Sequence, residues 1–384
     1  MPTGRSPTGE AIGGELKKEA HMLIDTTLRE GLQAFDVYLD PQERAELASR
    51  IASAGITELE IGWSGRGSDL KEVVAAVERA RARPIVWSMA RRVSLEEAAN
   101  SGASAVSVCI PASRRHQSER FGLDLTAVEE WIQETVAQAK SLFDFVQVGF
   151  EDASRADRTV LAELLKTAEL AGANRVRVAD TVGLLSPLEV ARMVSRVHSA
   201  TKLPIGVHLH DDLGMATAGA ITAIESGAAT ADTTLLGIGE RAGISATEEI
   251  AAWGVLRRGM DIDLRALRDA CEWLARKTGI VIPGSKAVAG GNIFSTGTGI
   301  HVDAIGRNPS LYEPWDPVRT GHERASVLGA NSGKGAVRLK LQELGLPEPS
   351  DLEDLVDEIR HEGARLRRPL RDEELPRFFE RPVG

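Results

Sequence analysis

The chain has 384 residues, enough for two to three ordinary domains or one large domain with an appendage. Hydrophobic residues make up 42% and charged residues 27%, which is ordinary for a globular enzyme. The net charge of −10 argues against nucleic acid as a partner, and no apolar run approaches the roughly 20 residues that a membrane helix needs. Residues 1–20 lack the apolar core of a secretory signal, and the two cysteines form no metal-binding pair. We therefore predict a flexible tail over 1–20, no membrane association and a cytoplasmic protein.

From residue 21 to about residue 258, short apolar runs alternate with amphipathic segments at helical spacing. The apolar runs predict eight strands, at residues 21–27, 56–62, 84–90, 105–111, 145–152, 175–181, 204–210 and 230–237. The segments between them predict helices such as those at 41–54, 70–82, 125–142, 158–171, 187–199 and 217–226. Eight strand–helix units match an α/β fold of the closed (β/α)8 TIM-barrel type in number and size. An open doubly wound sheet fits less well, because no Gly-x-Gly-x-x-Gly motif follows the first strand.

The alternation of strands and helices stops after Gly259. A predicted helix at 264–277 is followed by a glycine-rich stretch at 284–306, and mobile segments of this kind commonly serve as lids. We therefore expect a catalytic TIM barrel over 21–258, a linker and lid segment over 259–320, and a small α-rich C-terminal domain over 321–384. The clearest helix of that last domain is predicted at 352–366.

Polar side chains follow several predicted strands at the point where each strand ends. They are Arg29 and Glu30 after the first strand, Glu151 at the end of the fifth, Thr181 at the end of the sixth, and His208 and His210 at the end of the seventh. The carboxyl ends of the strands of a TIM barrel meet at one face, where catalytic groups are found. The sequence therefore predicts one active site at this face.

The His-x-His pattern of His208 and His210 puts both imidazoles on the same side of a strand. Two neutral imidazoles and one carboxylate suit a divalent cation such as Zn²⁺, Mn²⁺ or Co²⁺, with open positions left for substrate. Glu30 is the preferred third ligand, and Asp211 and Asp212 are weaker alternatives. A cation held in this way fits a 2-oxo acid, whose carboxylate and ketone oxygens can chelate it while an adjacent arginine stabilises growing negative charge.

Several stretches carry a family resemblance, among them Asp-Thr-Thr-Leu-Arg-Glu-Gly-Leu-Gln at 25–33 and His-Leu-His-Asp-Asp-Leu-Gly-Met at 208–215. The others lie at 150–155, 179–183, 237–243, 299–303 and 332–335. In order and content these stretches resemble homocitrate synthase and 2-isopropylmalate synthase, the metal-dependent acyl-CoA condensing enzymes with a TIM barrel. The resemblance implies a divalent metal (Mn, Mg, Zn or Co), acetyl-CoA as co-substrate and an acyltransferase reaction of the EC 2.3.3 type.

The resemblance also implies roles for individual residues. Glu30, His208 and His210 would hold the metal, and Arg29 would polarise the ketone. The remaining barrel residues given roles are Glu151, which would support that end of the site, and Gln33 and Thr181, which would contact substrate.

Two residues beyond the barrel, His301 and Tyr312, match the lid residues of the family. In the family these reach the barrel of the partner subunit, so the resemblance implies a homodimer with lid exchange. His301, or a water that it orients, would help to remove a methyl proton from acetyl-CoA.

The acceptor is predicted as an anionic 2-oxo acid, with 2-oxoglutarate preferred and (R)-homocitrate as the product. Oxaloacetate and phosphonopyruvate remain alternatives, because Leu32 replaces a glutamate that is usual in the family and the segment 146–149 departs from the pattern of lysine-pathway homocitrate synthases. The candidates for a counter-charge to a second anionic group are Arg91, Arg92, Arg114 and Arg115. An alternative of another class is carbon–carbon cleavage as in 3-hydroxy-3-methylglutaryl-CoA lyase, which is less favoured because neither cysteine lies in a glycine-rich loop near the barrel end.

Overall fold

The computed structural model describes residues 22–66 and 69–378, so the predicted tail at 1–20 lies outside the described residues. Eight parallel strands form a closed barrel in which each strand pairs with the next and the last pairs with the first. The strands are β1 (Leu23–Asp25), β2 (Glu58–Trp63), β3 (Arg83–Met89), β4 (Ala105–Pro111), β5 (Phe145–Glu151), β6 (Arg175–Asp180), β7 (Ile205–Leu209) and β8 (Thr230–Thr233). The predicted TIM barrel is confirmed.

One helix follows each strand and covers the outside of the barrel. The helices are α1 (Pro41–Ser53), α2 (Asp69–Arg79), α3 (Arg92–Ala99), α4 (Leu125–Leu142), α5 (Arg158–Leu170), α6 (Pro187–Ala200), α7 (Ala216–Glu225) and α8 (Thr247–Arg257). Several begin at a side-chain cap that the sequence encodes; Asp40 and Glu43, for example, form a reciprocal capping box at the start of α1. None of the helices in the described part of the chain is long and apolar enough to span a membrane.

The first strand is shorter than the predicted 21–27, and the reason bears on the site. The backbone N–H groups of Arg29, Glu30 and Gly31 all donate to the carbonyl of Thr26, so the chain turns immediately after β1. A strand would have pointed neighbouring side chains to opposite faces, whereas a turn lets Arg29 and Glu30 share one side. The tight turn therefore brings a cation and a carboxylate to the same end of the barrel.

Charged residues fill part of the barrel interior in two layers. Glu58 and Glu60 alternate along β2, and Arg175 and Arg177 alternate along β6, so each pair faces inward together. Arg175 Nη2 donates to Glu58 at 2.7 Å, and Arg177 Nη1 donates to Glu60 at 2.9 Å. All four residues are buried, so each charge depends on its partner for compensation.

Asp25 is a buried carboxyl at the end of β1, where Thr27 N and Thr247 Oγ1 donate to it at 2.9 and 2.7 Å. Burial raises its pKa to about 6, although both hydrogen bonds oppose the shift. The native state therefore holds this proton more tightly than the unfolded state, and stability falls as the pH rises from about 4 to about 6.

We expect Asp25→Asn to remove this pH dependence, because the amide carries no charge and can donate to Thr247 Oγ1. The free energy of unfolding of the variant, relative to wild type, should rise by about 3 kcal/mol between pH 4 and pH 7. Urea unfolding of both proteins across this range measures the difference. A difference that stays constant with pH would contradict the assignment.

The chain divides into two compact units, Met1–Ile262 with the barrel and Asp263–Gly384. The second unit contains α9 (Leu264–Thr278), α10 (Gly299–Arg307), α11 (Lys334–Glu343) and α12 (Leu352–Leu366), with the short parallel strands β9 (Ser295–Thr296) and β10 (Ala325–Ser326). Its core includes Leu328, Val337, Leu341, Ile359 and Leu370. Residues 299–306 of the glycine-rich stretch belong to α10, and this helix contains His301.

Candidate active site

Glu30, His208 and His210 lie together at the carboxyl end of the barrel. One ligand atom from each side chain lies within 4.8 Å of the others, and all three residues are buried. Glu30 Oε2 is 3.9 Å from His208 Nε2. The turn after β1 supplies the carboxylate and the end of β7 supplies both imidazoles, so residues almost 180 positions apart converge on one point.

Asp232 on β8 fixes the orientation of His208. Its Oδ2 is 2.9 Å from His208 Nδ1, which donates to it when that nitrogen carries the proton. The lone pair of His208 Nε2 is then free toward Glu30, the arrangement in which a histidine binds a metal. His210 Nδ1 is buried and has no hydrogen-bond partner among the described residues. Two imidazole nitrogens and a carboxylate are a ligand set that fits a divalent cation. Such a cation would also give the unpaired His210 side chain a partner.

The protonation states of this trio also suit a metal. Burial opposes the charge of Glu30, but Arg29 and the two imidazoles outweigh it and hold the pKa of Glu30 below its usual range. Burial and the neighbouring His208 lower the pKa of His210 to about 4. At neutral pH the site therefore offers an ionised carboxylate and an uncharged His210 imidazole, the forms that coordinate a cation.

Arg29 lies beside this trio in a fixed position. Its Nη1 donates to Glu30, and its Nε donates to Glu60 Oε1 at 2.6 Å. The other oxygen of Glu60 accepts from Arg177, whose Nη1 also donates to Asp232 at 2.6 Å. Burial opposes the charge of Glu60, but Arg177 and Arg29 hold the pKa of Glu60 at about 2. A continuous chain of ion pairs therefore joins Arg29 to the carboxylate that orients His208.

A cavity of about 320 Å³ opens at this end of the barrel. The predicted site residues that line it are Arg29, Glu30, Gln33, Glu151, Thr181, His208 and His210. Glu151 is paired with Arg120, whose Nη1 donates to both of its oxygens at 3.0 and 3.1 Å. Thr181 Oγ1 accepts from the backbone N–H of Asp152 at 2.9 Å, which leaves its hydroxyl proton available to a ligand.

The other two predicted catalytic residues, His301 and Tyr312, lie in the second unit. Their rings are 4.1 Å apart between centroids and inclined by 33°, so they form a stacked pair. Both side chains are exposed and could meet a ligand.

The two weaker ligand candidates have other partners. Asp211 Oδ1 accepts from the backbone N–H of Ala216, at the start of α7, at 2.7 Å. Asp212 forms a two-point ion pair with Arg241 at 2.8 and 2.9 Å. These contacts favour Glu30 as the carboxylate that could complete a metal site with the histidines.

Glu60, Arg177 and Asp232 support the site but were absent from the predicted set. The sequence does contain a pattern that could have identified two of them. Charged residues alternate with apolar ones in runs that otherwise predict buried strands, as in Glu-Leu-Glu at 58–60 and Arg-Val-Arg at 175–177. A buried charge that persists in such a strand must have a partner across the barrel.

Comparisons with known proteins identify the family of the chain. The family model described as HMGL-like matches residues 20–273, and the model described as homocitrate synthase post-HMGL domain-like matches residues 288–365. The chain is 36% identical to 2-isopropylmalate synthase 2 of Caldanaerobacter subterraneus subsp. tengcongensis over 93% of this chain and 94% of that protein. It is 33% identical to homocitrate synthase 1 of Nostoc sp. over 92% and 95% of the two chains.

Among solved structures, the hydroxymethylglutaryl-CoA lyase of Pseudomonas aeruginosa superimposes with a TM-score of 0.62 at 20% identity, over 68% of this chain and 94% of that one. A likeness at this identity shows the barrel fold alone. The synthase relatives, by contrast, align over nine-tenths of the chain and so include the region beyond the barrel. The chain therefore belongs to the homocitrate synthase and 2-isopropylmalate synthase family, the acyltransferases that condense acetyl-CoA with 2-oxo acids.

Proposed function

We propose that this acyltransferase transfers the acetyl group of acetyl-CoA to an anionic 2-oxo acid, with 2-oxoglutarate preferred and (R)-homocitrate and CoA as products. The observation that carries the proposal is the convergence of Glu30, His208 and His210 beside Arg29 at the mouth of one cavity. A divalent ion bound by these three side chains supplies Lewis acidity to the ketone of the acceptor.

The residues of the chain have separate tasks in the condensation. A base removes a methyl proton from acetyl-CoA, and the resulting carbanion forms a bond to the ketone carbon of the acceptor. Negative charge then grows on the ketone oxygen, where the guanidinium of Arg29, already fixed by Glu60, stabilises it without reorganising. Thr181 can donate its hydroxyl proton to the acceptor carboxylate. The resulting alkoxide takes up a proton, and water finally hydrolyses the thioester to a carboxylate and releases CoA.

Acceptor choice is tested with the purified enzyme, acetyl-CoA and a panel of 2-oxo acids, with release of free CoA as the signal. We expect release with 2-oxoglutarate. Release with oxaloacetate or phosphonopyruvate instead would keep the reaction and change the acceptor. No release with any acceptor, together with cleavage of 3-hydroxy-3-methylglutaryl-CoA, would refute the proposed function.

The cysteines support condensation over lyase chemistry. Cys109 lines the cavity, but burial and the charge of Glu151 raise the pKa of its thiol to about 12, so it stays protonated and a poor acid–base group. Cys271 is buried within α9.

We further propose that His301 accepts the methyl proton and that it acts on the barrel of a partner subunit in a homodimer. The exposed, stacked pair of His301 and Tyr312 supports a role in contact with a ligand. If the lid is exchanged, each active site draws Arg29 from one subunit and His301 from the other.

Subunit mixing tests this exchange. Arg29→Ala and His301→Ala should each be nearly inactive alone, but a mixed dimer contains one site with both native residues. Equal amounts, dissociated and reassociated at random, should recover about a quarter of the wild-type turnover. Recovery should be absent when either variant is reassociated with itself, and its absence in the mixture would contradict lid exchange.

A further inference from the structure

A buried arginine, Arg177, lines the cavity with one edge of its guanidinium group. The side chain of Arg177 is 6% exposed, and its Nη1 carries both of its ion pairs, to Glu60 and to Asp232. Its Nε and Nη2 have no hydrogen-bond partner among the described residues, although the residue lines the cavity. Those two nitrogens form the edge of a guanidinium that donates two parallel hydrogen bonds to a carboxylate or a phosphonate.

Gly149 leaves this edge uncovered. It pairs with Arg177 in the register between β5 and β6 and also lines the cavity. A Cβ atom at position 149 would lie 3.4 Å from both Nε and Nη2 of Arg177, and 3.3 Å from the carbonyl oxygen of Val108. Any other residue at this position would therefore place a Cβ atom in contact with both free donors.

The ion pairs of Arg177 hold the free edge in place. Glu60 and Asp232 fix Nη1, so binding a ligand at the opposite edge requires no side-chain rearrangement and loses little conformational entropy. The two donors of the free edge are not fully buried, so they remain open to the cavity. A ligand anion in the cavity would satisfy them.

We propose that this edge of Arg177 binds the second anionic group of the acceptor, and that it makes the enzyme selective for 2-oxo acids with two anionic groups. The inference rests on the proposed function, because it concerns the acceptor of that reaction. The two oxygens of Glu60 join Arg177 to Arg29, so the two ends of the acceptor are bound close together. The acceptor is therefore a compact dicarboxylate, or its phosphonate analogue, rather than a branched apolar 2-oxo acid.

The other cations near the cavity are less suited to this task. Arg120 is already paired with Glu151, and Arg91 is exposed. Arg92 pairs with Glu96 on the surface of α3. Arg177 differs from them in being buried and held rigid, with two parallel donors free.

The main test is Gly149→Ala, which caps the free edge and leaves the ion pairs of Arg177 intact. The KM for 2-oxoglutarate should rise roughly 10- to 100-fold, while the KM for 2-oxobutyrate, which lacks the second anion, should change less than about threefold. Arg177→Lys is a second variant, which keeps a positive charge near Glu60 and Asp232 but loses the two-donor edge. It should lower the preference of the enzyme for 2-oxoglutarate over 2-oxobutyrate. Arg175→Gln disrupts the matching interior ion pair away from the cavity and serves as the control for fold damage.

Direct binding separates this inference from the proposed function. Calorimetric titration of wild type and Gly149→Ala with 2-oxoglutarate and with 2-oxobutyrate measures affinity without turnover. We expect a 10- to 100-fold weaker Kd for 2-oxoglutarate alone in the variant. The inference would be overturned if wild type released CoA equally well with both acids. It would also be overturned if the variant lost the same affinity for 2-oxobutyrate as for 2-oxoglutarate. In either case the condensation itself would still stand. Selective binding without CoA release from any acceptor would refute the condensation and keep the anion site.

Discussion

The His208→Ala enzyme is expected to lose kcat/KM for acetyl-CoA condensation by a factor of about 10³ or more. The side chain supplies one of three donor atoms that lie within 4.8 Å of one another, and a metal acting on a ketone contributes several kcal/mol to catalysis. Losing the imidazole also leaves Asp232 without the group that it orients. Activity and bound metal should therefore fall together.

The measurement pairs steady-state kinetics with the metal content of the purified protein by elemental analysis. His361→Ala is a suitable control, because that imidazole is exposed on α12, in the second unit. A His208→Ala protein that keeps both its full metal content and its turnover would remove this residue from the proposed ligand set.

The second large effect is expected from Glu60→Gln. Glu60 pairs with both Arg29 and Arg177, which are largely buried. Each of these cations has only one further carboxylate partner, Glu30 or Asp232, so the neutral amide leaves both partly uncompensated. Removing one partner from a buried ion pair costs about 3–5 kcal/mol. Since the pKa of Glu60 is about 2, its contribution to stability is intact above about pH 4.5 and is lost only as the pH falls toward 2. Urea unfolding at pH 7 should therefore reveal the full loss.

Glu58→Gln provides the matched control for this variant. Glu58 lies two residues earlier on the same strand and binds Arg175 and Arg83 in the same manner, but it does not contact Arg29. Both variants should be less stable than wild type, whereas only Glu60→Gln should lower kcat, by about 100-fold, because Arg29 loses its fixed position. Equal kcat values for the two variants would show that Glu60 is only a structural residue.

The fold and the location of the site could be predicted because both depend on local patterns. Eight apolar runs with helices between them specify a barrel, and polar residues at the ends of those runs must then meet at one face. His208, His210 and Glu30 satisfy this rule, and the structure brings them together. Their roles as ligands stay predictions, as do the roles of Arg29 and Thr181 toward substrate.

The support of the site could not be predicted in the same way. Glu60 meets Arg177 across 117 residues of chain, and Asp232 reaches the same guanidinium from the last strand. Such pairs depend on the exact register of strands that are not neighbours in sequence. The free edge of Arg177 depends in turn on the absence of a side chain at Gly149, and a missing atom leaves no periodic signal.

The two interior layers also constrain how the barrel can assemble. Glu58 and Glu60 enter with β2, but their inward-facing cations Arg175 and Arg177 arrive only with β6, in each case 117 residues later. A partial barrel that ends before β6 would leave each carboxylate with one cation, Arg83 for Glu58 and Arg29 for Glu60. The second oxygen of each would still need water, so such a barrel could not form a dry core. Closure of the barrel and exclusion of water from its interior should therefore occur in one cooperative step. Partly assembled barrels should not accumulate during folding.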